Sequence, residues 1–242
     1  MKTLYDTDLE VITCLDERYY FKDGIYSPSV TTVLDVYPKG FGFQQWLKDL
    51  GHNSEEVLRR AAERGSRVHA ALEKIATGGA VRWEVDGVFE FSLDEWKMIN
   101  KGVEFLKEFV AEIDAVEISI VSGGVGGTID LICRIGGEVW LIDWKTGNGI
   151  YPSHHIQAAK YANMYGNETG MNIPHVGILH LNAKTRGPGR GGAIQGAGWQ
   201  LIEVEDRERK LELFDHVFEI WKAENPNAQP KNLTYPGVLK LK

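Results

Sequence analysis

The sequence predicts an α/β fold with an N-terminal helical elaboration, and three observations carry that prediction. Two long segments, 54–76 and 93–113, place apolar or small residues at helical spacing. Three short β-branched runs, 115–121, 128–135 and 139–145, then follow one another, punctuated by glycines. A helical segment over 153–165, strands near 176–182 and 199–204, and an amphipathic helix over 206–224 complete an order of helix, three strands, helix, strand.

Taken in chain order, the alternation at 11–14 and 19–21, around Leu15-Asp16-Glu17-Arg18, predicts a β-hairpin whose second strand closes at Asp23-Gly24. Ser27-Pro28-Ser29 reads as a helix entry. Within 54–76, Leu58, Ala61, Ala62, Gly65, Val68, Leu72 and Ala76 recur near the helical period, and Ser54 ahead of Glu55 and Glu56 reads as its cap. Residues 1–90 are expected to form a hairpin and helical elaboration packed on a core at 91–225. Residues 226–242, with Pro226, Pro230 and Pro236, form a tail.

Composition narrows the class. With 242 residues, 43% hydrophobic and 25% charged, the chain is long enough for a substantial interior and unlike a disordered or low-complexity protein. No apolar run reaches the roughly 18 residues of a membrane span, so no membrane partner is expected. The N-terminus carries Asp6, Asp8 and Glu10 and resembles neither a secretory signal nor a transit peptide, which makes a cytoplasmic location the expectation. Cys14 and Cys133, alone and far apart, argue against a disulfide framework, a zinc cluster and an iron-sulfur cluster. The net charge of −7 weighs against an indiscriminate DNA-coating protein but permits a local basic groove.

The chemistry concentrates in the second and third of the consecutive strands. If Gly136-Gly137 makes a two-residue turn, Ile135 faces Glu138 and Asp130 falls opposite Asp143. Lys145 then shares their face, while Ile129, Leu131, Cys133, Trp140, Ile142 and Trp144 occupy the other. Like charges at such positions destabilise a sheet unless something positive compensates. Two carboxylates there suit a hard divalent cation, most naturally Mg²⁺, with the lysine placed to meet a metal-bound water or a phosphate. The same three residues also make a neutralising ion-pair cluster without catalysis, and spacing alone does not choose between the two.

The stretch Gly127-Thr128-Ile129-Asp130, a short turn, then Ile142-Asp143-Trp144-Lys145-Thr146-Gly147 resembles the PD-(D/E)xK nuclease signature in its RecB-like exonuclease form, including single-domain phage and mitochondrial genome maintenance exonucleases. That resemblance implies a restriction-endonuclease-like core with a central mixed sheet flanked by helices. It extends to His69 in Arg64-Gly65-Ser66-Arg67-Val68-His69, similar to the family's upstream histidine motif, and to Gln157 and Tyr161, similar to its Q-x-x-x-Y pattern. It extends also to Ser29 and Thr31 in Pro28-Ser29-Val30-Thr31.

By resemblance, Asp130, Asp143, the Trp144 carbonyl and His69 hold Mg²⁺, for which Mn²⁺ substitutes. Lys145 orients or deprotonates the attacking water, and Gln157 and Tyr161 assist. The implied substrate is DNA, single-stranded or with free ends, in recombination, repair or degradation within a bacterial or phage-infected cell, with a recombination or single-strand-binding protein as a further partner. Each flanking position also has a plainer reading: His69 as a structural histidine, Gln157 and Tyr161 as helix packing, Ser29 and Thr31 as capping groups.

From 169 to 202 the chain carries no Asp or Glu, and Lys184, Arg186 and Arg190 sit in a Gly-rich connection that either tracks a phosphate backbone or is a hairpin tip. Arg60, Arg64 and Arg67 lie largely behind His69 and read as a solvated face. Most tryptophans read as core, whereas Trp46 and 41–43 are better placed to stack on bases. Other functions remain open: an endonuclease of the same fold, a catalytically silent nucleic-acid-binding relative, and a metal enzyme acting on a small phosphate ester.

Overall fold

The computed structural model describes residues 2–3, 10–14, 17–183 and 198–230, with side chains from Arg18 onward. In chain order the elements are β1 (Lys2–Thr3), β2 (Glu10–Cys14), β3 (Glu17–Lys22), β4 (Ile25–Pro28), α1 (Val30–Leu34), α2 (Phe41–Leu50) and α3 (Ser54–Ala76). There follow β5 (Glu84–Val85), β6 (Val88–Phe89), α4 (Leu93–Phe109), β7 (Glu112–Ser122), β8 (Val125–Ile135), β9 (Glu138–Lys145), α5 (Pro152–Thr169), β10 (His175–His180), β11 (Gln200–Glu203) and α6 (Arg207–Glu224). The central sheet is mixed, in the order β1-β7-β8-β9-β10-β11. No helix among the described residues is long and apolar enough to cross a membrane.

β7, β8 and β9 form an antiparallel meander, and α5 crosses over to place β10 parallel to β9. Gly136 and Gly137 both adopt positive φ (62° and 89°), as a two-residue turn matched to strand twist requires. The resulting register, Ile135↔Glu138 through Leu131↔Ile142, is the one expected from the sequence. On one face of the sheet Ile156, Met164 and Phe214 of α5 and α6 pack with Val30 and Val33 of α1. On the other, Val68 and Leu72 of α3 pack with Met98, Ile99 and Phe105 of α4.

The helices end where backbone chemistry ends them. Ser92 and Glu95 form a reciprocal capping box at the start of α4. That helix stops at Phe109 rather than at residue 113, because Val110 turns extended and the Ala111 N–H donates to Arg134 O (2.9 Å), committing Ile113 to β7. Ser54 does not cap α3: Asn53 holds the cap position, and the Ser54 hydroxyl donates to Gly51 O (2.8 Å). Arg67 is exposed, as expected, and also bonds Glu95 (2.8 Å), tying α3 to the start of α4. The short β1, the third strand β4 of the β2-β3-β4 sheet, α2 and the small β5-β6 hairpin lie outside what the sequence pattern predicts.

One irregularity shapes the rest. Val116 and Leu131, a cross-strand pair, lie in the α3/α4 core, whereas the next pair but one, Ile118 and Ile129, lies in the α1/α5/α6 core. Period-two alternation is therefore inverted between them, at Glu117 and Asp130, and Glu117 has the φ of +49° that produces the inversion. Ile129 consequently does not share a face with Leu131, contrary to simple alternation. Beyond this point β8 stays paired with β7, while its pairing with β9 has ended at Leu131↔Ile142. A slot opens between β8 and β9.

The strand segment beside the slot is built for close approach. A Cβ on Gly127 would lie 2.3 Å from the Tyr161 ring, and one on Gly126 would lie 2.2 Å from the Tyr20 ring. Gly127→Ala should therefore displace Tyr161 and cost about 1–3 kcal/mol through overpacking. At roughly 2–4 °C per kcal/mol for a chain of this size, calorimetry should show a melting temperature lowered by several degrees. An unchanged melting temperature would show that α5 does not press on β8 as described.

Candidate active site

Four elements converge on the slot: α3 from one face, α5 from the other, and the middle of β8 and the end of β9 as its floor. Together they line a cleft of about 720 Å³ that includes His69, Glu117, Asp130, Asp143, Lys145 and Tyr161. Gly65 lets α3 come close to the end of β9, since a Cβ there would meet Thr146 Oγ1 at 3.1 Å. His69, one turn further along α3, is thereby brought over Asp130, with Nδ1 3.3 Å from Oδ1.

Asp130 and Asp143 are next in the hairpin register, but they are not a backbone pair. The Trp144 N–H donates to Asp130 Oδ2 (2.7 Å), so a side chain takes the place of a ladder acceptor. The Trp144 side chain is buried in the α3/α4 core, its ring 6.3 Å from that of His69. Asp143, 2% exposed, meets Lys145 with Nζ 2.5 Å from Oδ2, as strand alternation predicts. That contact is an ion pair without aligned hydrogen-bond geometry, which leaves Asp143 Oδ2 buried and short of a donor.

Charge is distributed unevenly across these groups. Burial works against ionisation of Asp130, but His69, Lys145 and the Trp144 N–H outweigh it and lower its pKa. Burial also opposes the His69 imidazolium, and Asp130 raises its pKa nonetheless. Asp143 is pushed by burial up to about 6, with Lys145 pulling the other way and Asp130 adding repulsion. Burial pushes Glu117 up to about 7, reinforced by the Asp130 charge.

Glu117 is the residue that sequence reasoning missed. It sits on β7 across from Asp130, and atoms of His69, Glu117 and Asp130 that can bind a metal lie within 4.8 Å of one another. Plain alternation does not flag it, and Val116-Glu117-Ile118 alone gives no hint of the positive φ that aims it inward. This donor set, one imidazole with carboxylates and an under-bonded Asp143 oxygen nearby, fits a divalent cation that prefers oxygen with some tolerance for nitrogen.

The remaining expected residues divide. Gln157 and Tyr161, one turn apart on α5, both line the cleft, and Gln157 Nε2 donates to the Tyr161 hydroxyl (3.1 Å). Thr31 lines the cleft as well. Ser29 does not offer its hydroxyl to a ligand: it is 2% exposed, accepts from Thr32 N (2.9 Å) as the cap of α1, and bonds the Thr31 hydroxyl (2.8 Å). Lys184, Arg186 and Arg190 lie outside the described residues. Arg18 of β3 and Lys39, not singled out in the sequence, supply cations to the cleft wall. Phe43 and Trp46 of α2 stack on each other (5.7 Å), with Lys39 Nζ 5.4 Å from the Phe43 ring centre.

A family model described as the PD-(D/E)XK nuclease superfamily matches residues 43–232, which span α2 through α6. No curated protein matches the chain. Solved structures that resemble it include one described as "Crystal structure of SSO0001", with 14% sequence identity over 55% of this chain and a TM-score of 0.26. The chain spans 59% of that structure's length, and a likeness of this size carries no argument.

The raised pKa of Glu117 has a sign that can be checked. The folded state holds this proton up to about pH 7, whereas an unfolded glutamate releases it near 4.5. Without metal, stability is therefore lost as pH rises from about 4.5 through about 7. Glu117→Gln in EDTA should melt several degrees above the parent at pH 8 and close to it at pH 5. An equal gain at both pH values, or a loss at pH 8, would contradict a buried, repelled carboxylate.

Proposed function

Because the chain belongs to the PD-(D/E)XK nuclease superfamily, we propose that it is a Mg²⁺-dependent DNA exonuclease that takes single-stranded DNA, or DNA with a single-stranded end, into the cleft between α3 and α5. The observation that carries this reading is the pairing of two charge clusters across the β8–β9 slot: His69, Glu117 and Asp130 on one side, Asp143 and Lys145 on the other. A merely structural ion-pair cluster has no need of a third carboxylate held partly protonated.

Asp130, Glu117 and His69 would hold the metal, with Asp143 and the Trp144 carbonyl completing the oxygen donors. When bound, the ion supplies Lewis-acid stabilisation of the phosphodiester and acidifies a water. The protein's own groups do the rest. Asp130 is held ionised and in place by the Trp144 N–H and His69, so one anionic ligand is ready at neutral pH. Glu117 and Asp143 give up protons as a cation enters, which makes affinity rise with pH. Lys145, anchored by Asp143, would orient the attacking water. Burial raises the pKa of Tyr161 well above its ordinary value, so its phenol stays neutral and fixes the Gln157 amide at the cleft wall.

The proposed need for a free end rests on the way a strand would lie in the cleft. A strand lying between α3 and α5, past Lys39 at the cleft wall, would present one phosphodiester at a time and would fit better than a folded duplex. Linear single-stranded DNA should be shortened progressively with Mg²⁺ or Mn²⁺ and not with EDTA, while a covalently closed single-stranded circle survives. Asp143→Asn should lose at least a hundredfold in rate while remaining folded. Circles cut as fast as linear DNA would make the protein an endonuclease; undiminished cleavage by Asp143→Asn would remove the metal-site reading altogether.

A further inference from the structure

α5 places three residues along the cleft at spacings of three and four: His154, Gln157 and Tyr161. Gln157 and Tyr161 are bonded to each other. His154 is bonded differently. The Tyr151 N–H donates to His154 Nδ1 (3.3 Å), and the Tyr151 ring packs edge-on against the imidazole with centroids 5.3 Å apart. A neutral imidazole that accepts at Nδ1 carries its proton on Nε2, so the loop before α5 fixes the tautomer. Among the described residues no acceptor is bonded to Nε2 of His154.

The ring also stays uncharged. Burial lowers the His154 pKa to about 3, and Lys145, His155 and His180 act in the same direction. A cation here would oppose both Lys145 and an entering metal ion, whereas a neutral N–H donor beside them opposes neither. The first turn of α5, with Ser153 also at the cleft wall, adds the positive end of a helix dipole to the same place. Donor, dipole and lysine thus line one cleft with the carboxylates of Glu117 and Asp130, while Asp143 lies against the lysine itself. Such an arrangement suits a phosphodiester, which is anionic and accepts hydrogen bonds.

We propose that His154 is a catalytic residue of this chain that binds the scissile phosphodiester, its Nε2–H donating to a non-bridging phosphate oxygen beside Lys145. The inference rests on the reading of the cleft as a nuclease site and adds the group that grips the reacting phosphate from the α5 side. Its effect should be greater on the chemical step than on overall affinity, since the phosphate oxygens gain negative charge as the bond breaks.

The test is single-turnover cleavage of a fluorescein-labelled 20-nucleotide oligo-dT in Mg²⁺ by the parent, His154→Ala and His154→Gln, with thermal melts of each with and without Mg²⁺. A glutamine amide can place an N–H near the Nε2 position. His154→Ala should slow cleavage about tenfold to a hundredfold, the loss of one hydrogen bond to a charged group, and His154→Gln should recover most of it. The Mg²⁺-induced rise in melting temperature should be the same in all three. An alanine variant as fast as an active parent overturns the assignment of His154 and leaves the nuclease reading intact. A glutamine variant as slow as alanine makes the residue a cap for the Tyr151 N–H and equally overturns it. A parent that does not cleave removes the nuclease reading and this proposal together.

Discussion

The hydrogen bond from the Trp144 N–H to the Asp130 carboxylate (2.7 Å) is the interaction on which the site depends. A ladder continuing past Leu131↔Ile142 would leave no space between β8 and β9 for side chains from both faces to meet. By accepting a backbone N–H, Asp130 satisfies a donor that would otherwise be buried unpaired, and this stabilises both the open slot and its own charge. Glu117 makes the complementary adjustment on β7, where its positive φ inverts the alternation and points a second carboxylate toward the first. His69 on α3 and Tyr161 on α5 then line the same cleft from opposite faces of one sheet.

Gathering Asp130, Asp143 and Glu117 in a buried place is unfavourable, and the protein reduces that cost in two ways. Partners are brought in, Lys145 against Asp143 and the His69 imidazole, whose pKa Asp130 raises, against Asp130. Protons are retained where no cation suffices, which is why Glu117 and Asp143 are shifted upward while Asp130 is shifted downward. The result is a site whose state without metal is partly protonated and whose charge a divalent ion would complete. Affinity for such an ion and instability without it would then have the same origin.

The hairpin was legible because its turn is unambiguous. Gly136-Gly137 fixes the register, the register places Asp130 near Asp143, and alternation places Lys145 beside Asp143. The long helix carrying His69 was legible from its period and runs over the residues expected. What could not be read shares one cause, a local backbone event that a period of two or 3.6 averages away. The φ of Glu117 is such an event, and so is the extended Val110 that ends α4 four residues before the sequence pattern does. Ser29 misled for a related reason: a hydroxyl at a helix start reads the same whether it caps the helix or awaits a ligand, and only its burial separates the two.

The central claim is that the slot between β8 and β9 is a divalent-metal site. Crystals grown with Mn²⁺ and measured at the manganese absorption edge test it directly. The account predicts an anomalous peak within bonding distance, roughly 2.0–2.3 Å, of Asp130 and of at least one of His69, Glu117 and Asp143, and no such peak in Asp130→Asn crystals. Manganese elsewhere on the molecule, or a slot that still holds Lys145 against Asp143 with no ion beside Asp130 at saturating Mn²⁺, would contradict it.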